Sequence, residues 1–320
     1  CQFEWKLVDF YLPDQTEGGF KIIQKDSQLG PDISPGSSGN LQLNLPSDWQ
    51  DHDAIFLTAR DHMNREVYTW TWQLQNAGIY KERIVKLENG SVTSSDEMSY
   101  ITIQANDYEF RFDKNNGYLS SVIHKGHQFS FLNGPVLCSG RQSLRTISVR
   151  QEGDDQIVDV KYDGDMKVVQ WRINASGWVT LHYEYELTGK YDFMGVSFGS
   201  PEKDVRGVKW LGKGPYRVYR NRLKGTTFNV WQKDYNNTIT GYTGWEYPEF
   251  KGYHANVNWA VLETAEGSMT VVSEEDNLFL HLFTPQTAED PRYSSPEYPK
   301  GDISFLDAIP GTGSKFKKPD

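Results

Sequence analysis

Apolar side chains recur at every second position along most of the chain. Phe3, Trp5 and Leu7 alternate with Glu4, Lys6 and Val8, and Leu41, Leu43 and Leu45 alternate with Gln42 and Asn44, so both stretches predict half-buried strands. Residues 54–59 are an apolar run of strand length, and residues 67–74 (VYTWTWQL) interleave threonine with aromatics, a chemistry suited to a pleated surface. Gly30-Pro31 and the stretch 34–39 (SPGSSG) punctuate the pattern as loop. Short strands separated by turn signals predict one small sandwich of immunoglobulin size over residues 1–90.

Residues 87–97 are polar and without period and read as a linker. From Tyr100 the strand pattern resumes. Residues 108–112 and 118–123 flank Asn116-Gly117, a hairpin signal. Residues 157–162, 168–173 and 178–187 predict a meander, and 257–262 with 269–272 a second hairpin, before strands at 278–283 and 303–306. No window of about twelve residues has helical spacing, and strands do not alternate with helices. The expectation is all-β, with one large sandwich over residues 97–320 following the first.

Composition narrows the partners. With 43 acidic against 33 basic residues the net charge is −10, which argues against nucleic acid and against an anionic membrane surface. No apolar run reaches the ~18–20 residues of a spanning helix. Aromatics make up 14% of the chain, which excludes a disordered polymer and suits surfaces that stack on flat ligands. Cys1 and Cys138 make no disulfide framework, so the compartment stays open between bacterial periplasm and cytoplasm. Cys1 stands where a mature bacterial lipoprotein would begin. The preferred reading is that a chain opening inside a strand is cut from something longer.

Several residue sets are candidates for chemistry. Glu184 and Glu186 lie two apart on one strand face, about 6.6 Å between Cα atoms, a distance that suits the carboxylate pair of a glycosidase. The same spacing is also that of an ordinary solvated strand face, which is preferred here. Glu246 and Glu249 sit among rings in Trp245-Glu246-Tyr247-Pro248-Glu249-Phe250. His124 and His127 read as surface histidines of a hairpin, and no cysteine joins them to make a metal set. No Gly-x-Ser-x-Gly nucleophile elbow is present, and Gly212-Lys213-Gly214 is only half of a dinucleotide fingerprint. The stretch 235–254 carries Tyr235, Tyr242, Trp245, Tyr247, Phe250 and Tyr253 between Gly241, Gly244, Pro248 and Gly252. It reads equally as a sugar-binding loop, with Trp245, Tyr247, Glu249, Tyr253 and His254 as contacts, or as a loop tied down against another domain.

Residues 210–225 (WLGKGPYRVYRNRLKG) resemble a signature of glycoside hydrolase family two, in the C-terminal domain of the large bacterial β-galactosidases: Gly212, Gly214, Pro215, Tyr219, Arg222 and Gly225 match in order. The family commonly has Glu at the position of Arg217 and Asp at that of Asn221. Residues 112–121, Leu132-Asn133-Gly134-Pro135, and Pro248 with Gly252 ahead of Trp259 resemble further blocks in the same order, and residues 1–90 are similar to the preceding immunoglobulin-like domain. The resemblance implies a fourth domain over residues 1–90 and a fifth, an antiparallel supersandwich of galactose-mutarotase type, over 97–320. It also implies that the catalytic glutamates and the family's metal ions sit on a TIM barrel outside this chain. The chain itself would then carry no catalytic residue, cofactor or metal, and the Gly212–Gly225 motif would be structural, with Gly212, Gly214 and Pro215 setting a tight corner where a strand leaves its sheet. Its partners would be that barrel, a β-linked carbohydrate and, as an open question, further copies of itself. The competing reading is a stand-alone glycan-binding protein without catalysis.

Overall fold

The structure is a computed structural model and describes residues 1–235, 252–284 and 297–311. The first alternating segments form an antiparallel sheet of β1 (Gln2–Phe10), β2 (Phe20–Leu29), β3 (Ala54–Arg60) and β4 (Glu66–Gln73), in the order β2-β1-β3-β4. Opposite Leu7 and Val8 the register shifts by one residue of β2, Ile23. Strand β1 keeps its alternation and buries both faces, Leu7 with Trp5, Ile55 and Leu57 on one, Val8 with Phe10, Ala54 and Phe56 on the other.

Residues 41–45 depart from expectation, because they form no strand. Leu41, Leu43 and Leu45 instead lie, with Trp49, on Trp5 and Leu57. The period of two marks which side chains face the sheet, and no second sheet supplies a backbone ladder there. Helix α1 (Ala77–Ile84), the only α-helix among the described residues, is capped by the Asn76 side chain, which accepts from the backbone N–H of Ile79 at 3.2 Å.

The second part opens with β5 (Val92–Asp96), β6 (Tyr100–Ala105), β7 (Tyr108–Asp113), β8 (Leu119–His124), β9 (His127–Phe129) and β10 (Leu132–Leu137). An antiparallel meander follows: β11 (Gln142–Glu152), β12 (Asp155–Gly164), β13 (Met166–Ile173) and β14 (Val179–Tyr185). The chain then adds β15 (Met194–Gly199), β16 (Val205–Val218), β17 (Thr227–Asp234), β18 (Tyr253–Thr264), β19 (Gly267–Val272), β20 (Phe279–Leu282) and β21 (Ile303–Ala308). Strands β5–β10 and β15–β21 make one sheet, thirteen strands among the described residues, ordered β17-β16-β18-β20-β21-β15-β10-β8-β7-β6-β5, with β19 beside β18 and β9 beside β8. The meander covers part of it, Val158, Val160, Val169 and Trp171 packing against Ile101, Ile103, Phe112 and Phe198. This is the all-β sandwich expected from the alternation. Strand β5 falls in the stretch read as a linker: it is an edge strand with only Val92 buried, so it carries no hydrophobic period.

The two parts share a core. Val8, Phe10, Ala54 and Phe56 of the first sheet meet Leu211, Phe228, Val230, Trp259 and Val261 of β16, β17 and β18, with Tyr80 of α1 closing the cluster.

Gly212, Gly214 and Pro215 do not turn a corner. They lie within β16, which pairs with β17 as far as Gly214, and neither glycine has positive φ. Glycine is required there for room. A Cβ on Gly214 would lie 2.5 Å from the indole of Trp231, and one on Gly212 would lie 2.9 Å from the carbonyl oxygen of Ala255.

Candidate functional site

Three strands of the large sheet bring polar side chains into its interior. Strand β16 carries Arg217 just before its end, β18 begins with Tyr253 and His254, and β20 carries His281. His254 pairs with Leu280 across β18 and β20, which sets the two histidines beside each other. Tyr219, just beyond β16, and Tyr298, ahead of β21, complete a set of rings. Tyr253 lies 5.8 Å from Tyr219, 5.7 Å from His281 and 6.2 Å from Tyr298 between centroids. The Tyr219 and Tyr298 hydroxyls are 2.5 Å apart. His254 meets Trp210 edge to face at 4.5 Å.

Arg217, Tyr253, His254 and His281 are all buried. Burial, with Arg217 nearby, pushes the His281 imidazole down to about 3, and burial, Arg217, Lys233 and His281 hold His254 well below its ordinary value. Burial likewise raises the Tyr253 and Tyr298 phenols and lowers Arg217. At neutral pH the rings are therefore uncharged donors and acceptors. The guanidinium of Arg217 donates to the Leu282 carbonyl at 3.4 Å. Among the described residues, both ring nitrogens of His254, Nε2 of His281 and the hydroxyl of Tyr253 have no hydrogen-bond partner, which is uncommon for buried polar atoms. Such a set can hold hydroxyl groups or water. Among the described residues no group of His, Cys, Asp and Glu is placed to hold a metal ion.

A second polar chain runs from the same histidine. Nδ1 of His281 is 3.3 Å from Ser304 Oγ, which is 2.8 Å from Ser197 Oγ, which is 2.9 Å from Cys138 Sγ. It has the residue types of a nucleophile and base, and sequence spacing gave no hint of it, because the members come from four separate segments. The chemistry does not follow. Burial pushes the Cys138 thiol up to about 11, and a thiol so protonated at neutral pH is a poor nucleophile.

Of the contacts expected from sequence, Tyr253 and His254 belong to this interior set and open β18 instead of closing a loop. Trp245, Tyr247 and Glu249 lie outside the described residues. In the glycine motif Tyr219 is buried, Arg222 is exposed and donates its backbone N–H to the Tyr219 carbonyl, and Gly225 has φ +88°. Arg217 fills the motif position where the resembling family has glutamate. Glu184 lies on the exposed face of β14 beside His182 at 3.1 Å, and Glu186 is exposed just past the strand, within 4.0 Å of Lys167. His124 and His127 face each other across the β8–β9 hairpin, the ring of His124 stacked on Tyr108 at 4.2 Å.

Residues 138–295 match the family model described as beta galactosidase small chain. The interior polar set lies largely inside that stretch. Among curated proteins no match is found.

Proposed function

We propose that this chain is the non-catalytic C-terminal part of a retaining β-glycosidase of β-galactosidase type. The match over residues 138–295 carries the reading, on an all-β architecture with no alternating strands and helices among the described residues. Hydrolysis with retention needs two carboxyl groups about 5–5.5 Å apart on either side of the scissile bond, one a nucleophile and one an acid. That pair would belong to a barrel in the same protein, and this chain would supply architecture, the contact with the barrel and part of a sugar subsite.

The isolated 320-residue chain should release no nitrophenol from nitrophenyl β-galactoside above a buffer blank, and should support hydrolysis once joined to the barrel. Turnover by the chain alone that disappears in Glu184→Gln or Glu249→Gln overturns the proposal.

One observation favours the second reading, a glycan-binding protein without catalysis. Tyr68, Trp70 and Trp72 of β4 are 43%, 40% and 47% exposed and alternate along a single strand face, and such rings can stack on sugar. Retention of the chain on an insoluble β-glycan, lost in Trp70→Ala, would support it.

A further inference from the structure

Between β14 and β15 the chain makes a short loop whose side chains gather around a cleft of about 270 Å³ lined by Ser139, Lys190, Tyr191, Asp192, Phe193 and Glu297. The loop is fixed in place. Gly189 takes φ +118°, the Tyr191 hydroxyl donates to the Thr188 carbonyl at 3.1 Å, and Ser139 Oγ donates to the Phe193 carbonyl at 2.8 Å. The backbone N–H of Cys138 donates to the Gly195 carbonyl at 2.9 Å, which ties the same wall to β15. The volume falls just under the ~300–1,000 Å³ of small-molecule sites and suits one sugar ring.

We propose that this cleft is a subsite for a single neutral pyranose, an inference that rests on reading the chain as part of a β-glycosidase. The lining matches the two kinds of surface a pyranose presents. Tyr191 is 40% exposed and offers a ring to the apolar C–H face. The carboxylates of Asp192 and Glu297 are acceptors for hydroxyl protons, each with two oxygens; the Lys190 ammonium adds donors, and the Ser139 oxygen, whose proton goes to the Phe193 carbonyl, adds a further acceptor. Phe193, buried, lines the cleft and packs in one cluster with Tyr253 and Tyr298. Among the described residues the Tyr253 hydroxyl of that cluster has no hydrogen-bond partner.

Charge decides the class of sugar. Two carboxylates against one ammonium leave the cleft negative, in a chain whose net charge is −10. A uronic acid would place a third carboxylate there, and like charges brought together disfavour binding. A neutral hexopyranoside meets no such cost.

The test is calorimetric or saturation-transfer titration of the whole chain with methyl β-galactopyranoside, methyl β-glucopyranoside and methyl β-glucuronide. The neutral glycosides should bind and the glucuronide should not. Asp192→Ala, Glu297→Ala and Tyr191→Ala should each weaken the neutral glycosides by about tenfold or more. These residues lie at the surface, and an unchanged melting profile verifies that each variant is folded. Binding of the glucuronide as tight as that of the neutral sugars overturns the proposal, as does neutral binding indifferent to Asp192→Ala and Glu297→Ala, or none at all. If the chain joined to its barrel hydrolyses a β-galactoside while the chain alone binds no sugar, the subsite fails and the glycosidase reading stands. If neutral sugars bind with the expected variant losses and the joined protein hydrolyses nothing, the subsite stands and that reading fails.

Discussion

Arg83 Nη1 donates to Asp53 Oδ1 at 2.6 Å, while Asp53 Oδ2 accepts from the backbone N–H of Phe10 at 2.7 Å. One buried carboxylate thus joins α1 to the start of β3 and the end of β1. Tyr80, on the same helix, is fully buried in the core that the first sheet shares with β16, β17 and β18. Gln73 Nε2 reinforces the junction, donating to Asn258 Oδ1 of β18 at 2.7 Å. The first sheet is therefore held on the second part by both apolar contact and directed polar bonds.

Arg83→Met should destabilise the chain by about 2–3 kcal/mol. Breaking a fully buried pair costs about 3–5 kcal/mol, and the Arg83 side chain, 35% exposed, is partly screened by water. Burial raises the Asp53 carboxyl above its ordinary value, so the folded form takes up a proton more readily than the unfolded one. The deficit of Arg83→Met should be largest at neutral pH and shrink as pH falls through the carboxylate range. Urea unfolding at several pH values measures both; a midpoint unchanged at pH 7 would show that the ion pair does not hold the helix.

Two glycines of one motif should fail for different reasons. Gly214→Ala places a methyl 2.5 Å from the Trp231 ring, whose Nε1 donates to the Gly212 carbonyl at 3.2 Å. Overpacking of this kind costs about 1–3 kcal/mol. Gly225 has open space around it but φ +88°, so alanine there pays only the left-handed backbone penalty of about 1–2 kcal/mol. A double-mutant cycle separates the two. Trp231→Ala should offset part of the Gly214→Ala loss and none of the Gly225→Ala loss.

Where hydrogen-bonded strands bury one face or both, the residue pattern marks them. Phe3, Trp5 and Leu7 in β1, residues 54–59 in β3 and the hairpin at Asn116-Gly117 are read directly, and Gly117 does take φ +78°. Leu41, Leu43 and Leu45 carry the same signal without a strand, because period two reports which side is buried and says nothing of backbone partners. Strand β11 escaped notice for a different reason. A register shift between Leu144 and Thr146 throws Leu144 out of phase with Ile147 and Val149, although all three pack on the same core. The interior set was half legible. Tyr253 and His254 stood out by composition, but His281 joins them only through the pairing of β18 with β20, 27 residues along (281 − 254), a relationship with no signature in local spacing.

The exposed rings of β4 should matter little to stability. Trp70 and Trp72 are close to half exposed, so truncating either to alanine forfeits only part of the ~1.5–3 kcal/mol that full burial of a large side chain is worth. Each variant should unfold within about 1 kcal/mol of the parent in urea. A loss of several kcal/mol would mean that the outer face of the first sheet is more tightly packed than its exposure indicates.

His254 and His281 should make stability fall in mild acid. Both are buried, and both are held below the ordinary imidazole value, His281 at about 3. The charged groups that face them add to the effect of burial: Arg217 of β16 acts on both, and Lys233 of β17 acts on His254. Their other neighbours among the described residues, Trp210, Tyr253, Tyr298 and Ser304, are neutral. Above the ordinary histidine value of about 6.5 both states are unprotonated, and the pair contributes nothing to pH dependence. Between about 6.5 and 3 the unfolded chain binds a proton at His281 and the folded chain does not, and His254, also held low, adds in the same direction below about 6.5. Stability therefore rises with pH across that window and is lost on acidification, at up to about 1.4 kcal/mol per pH unit for each histidine. Denaturant titrations at pH 7, 6 and 5 should give a steeper loss in the parent than in His281→Gln, the difference approaching one proton's slope. Equal slopes would mean that His281 titrates freely in the folded protein and that water reaches the interior set.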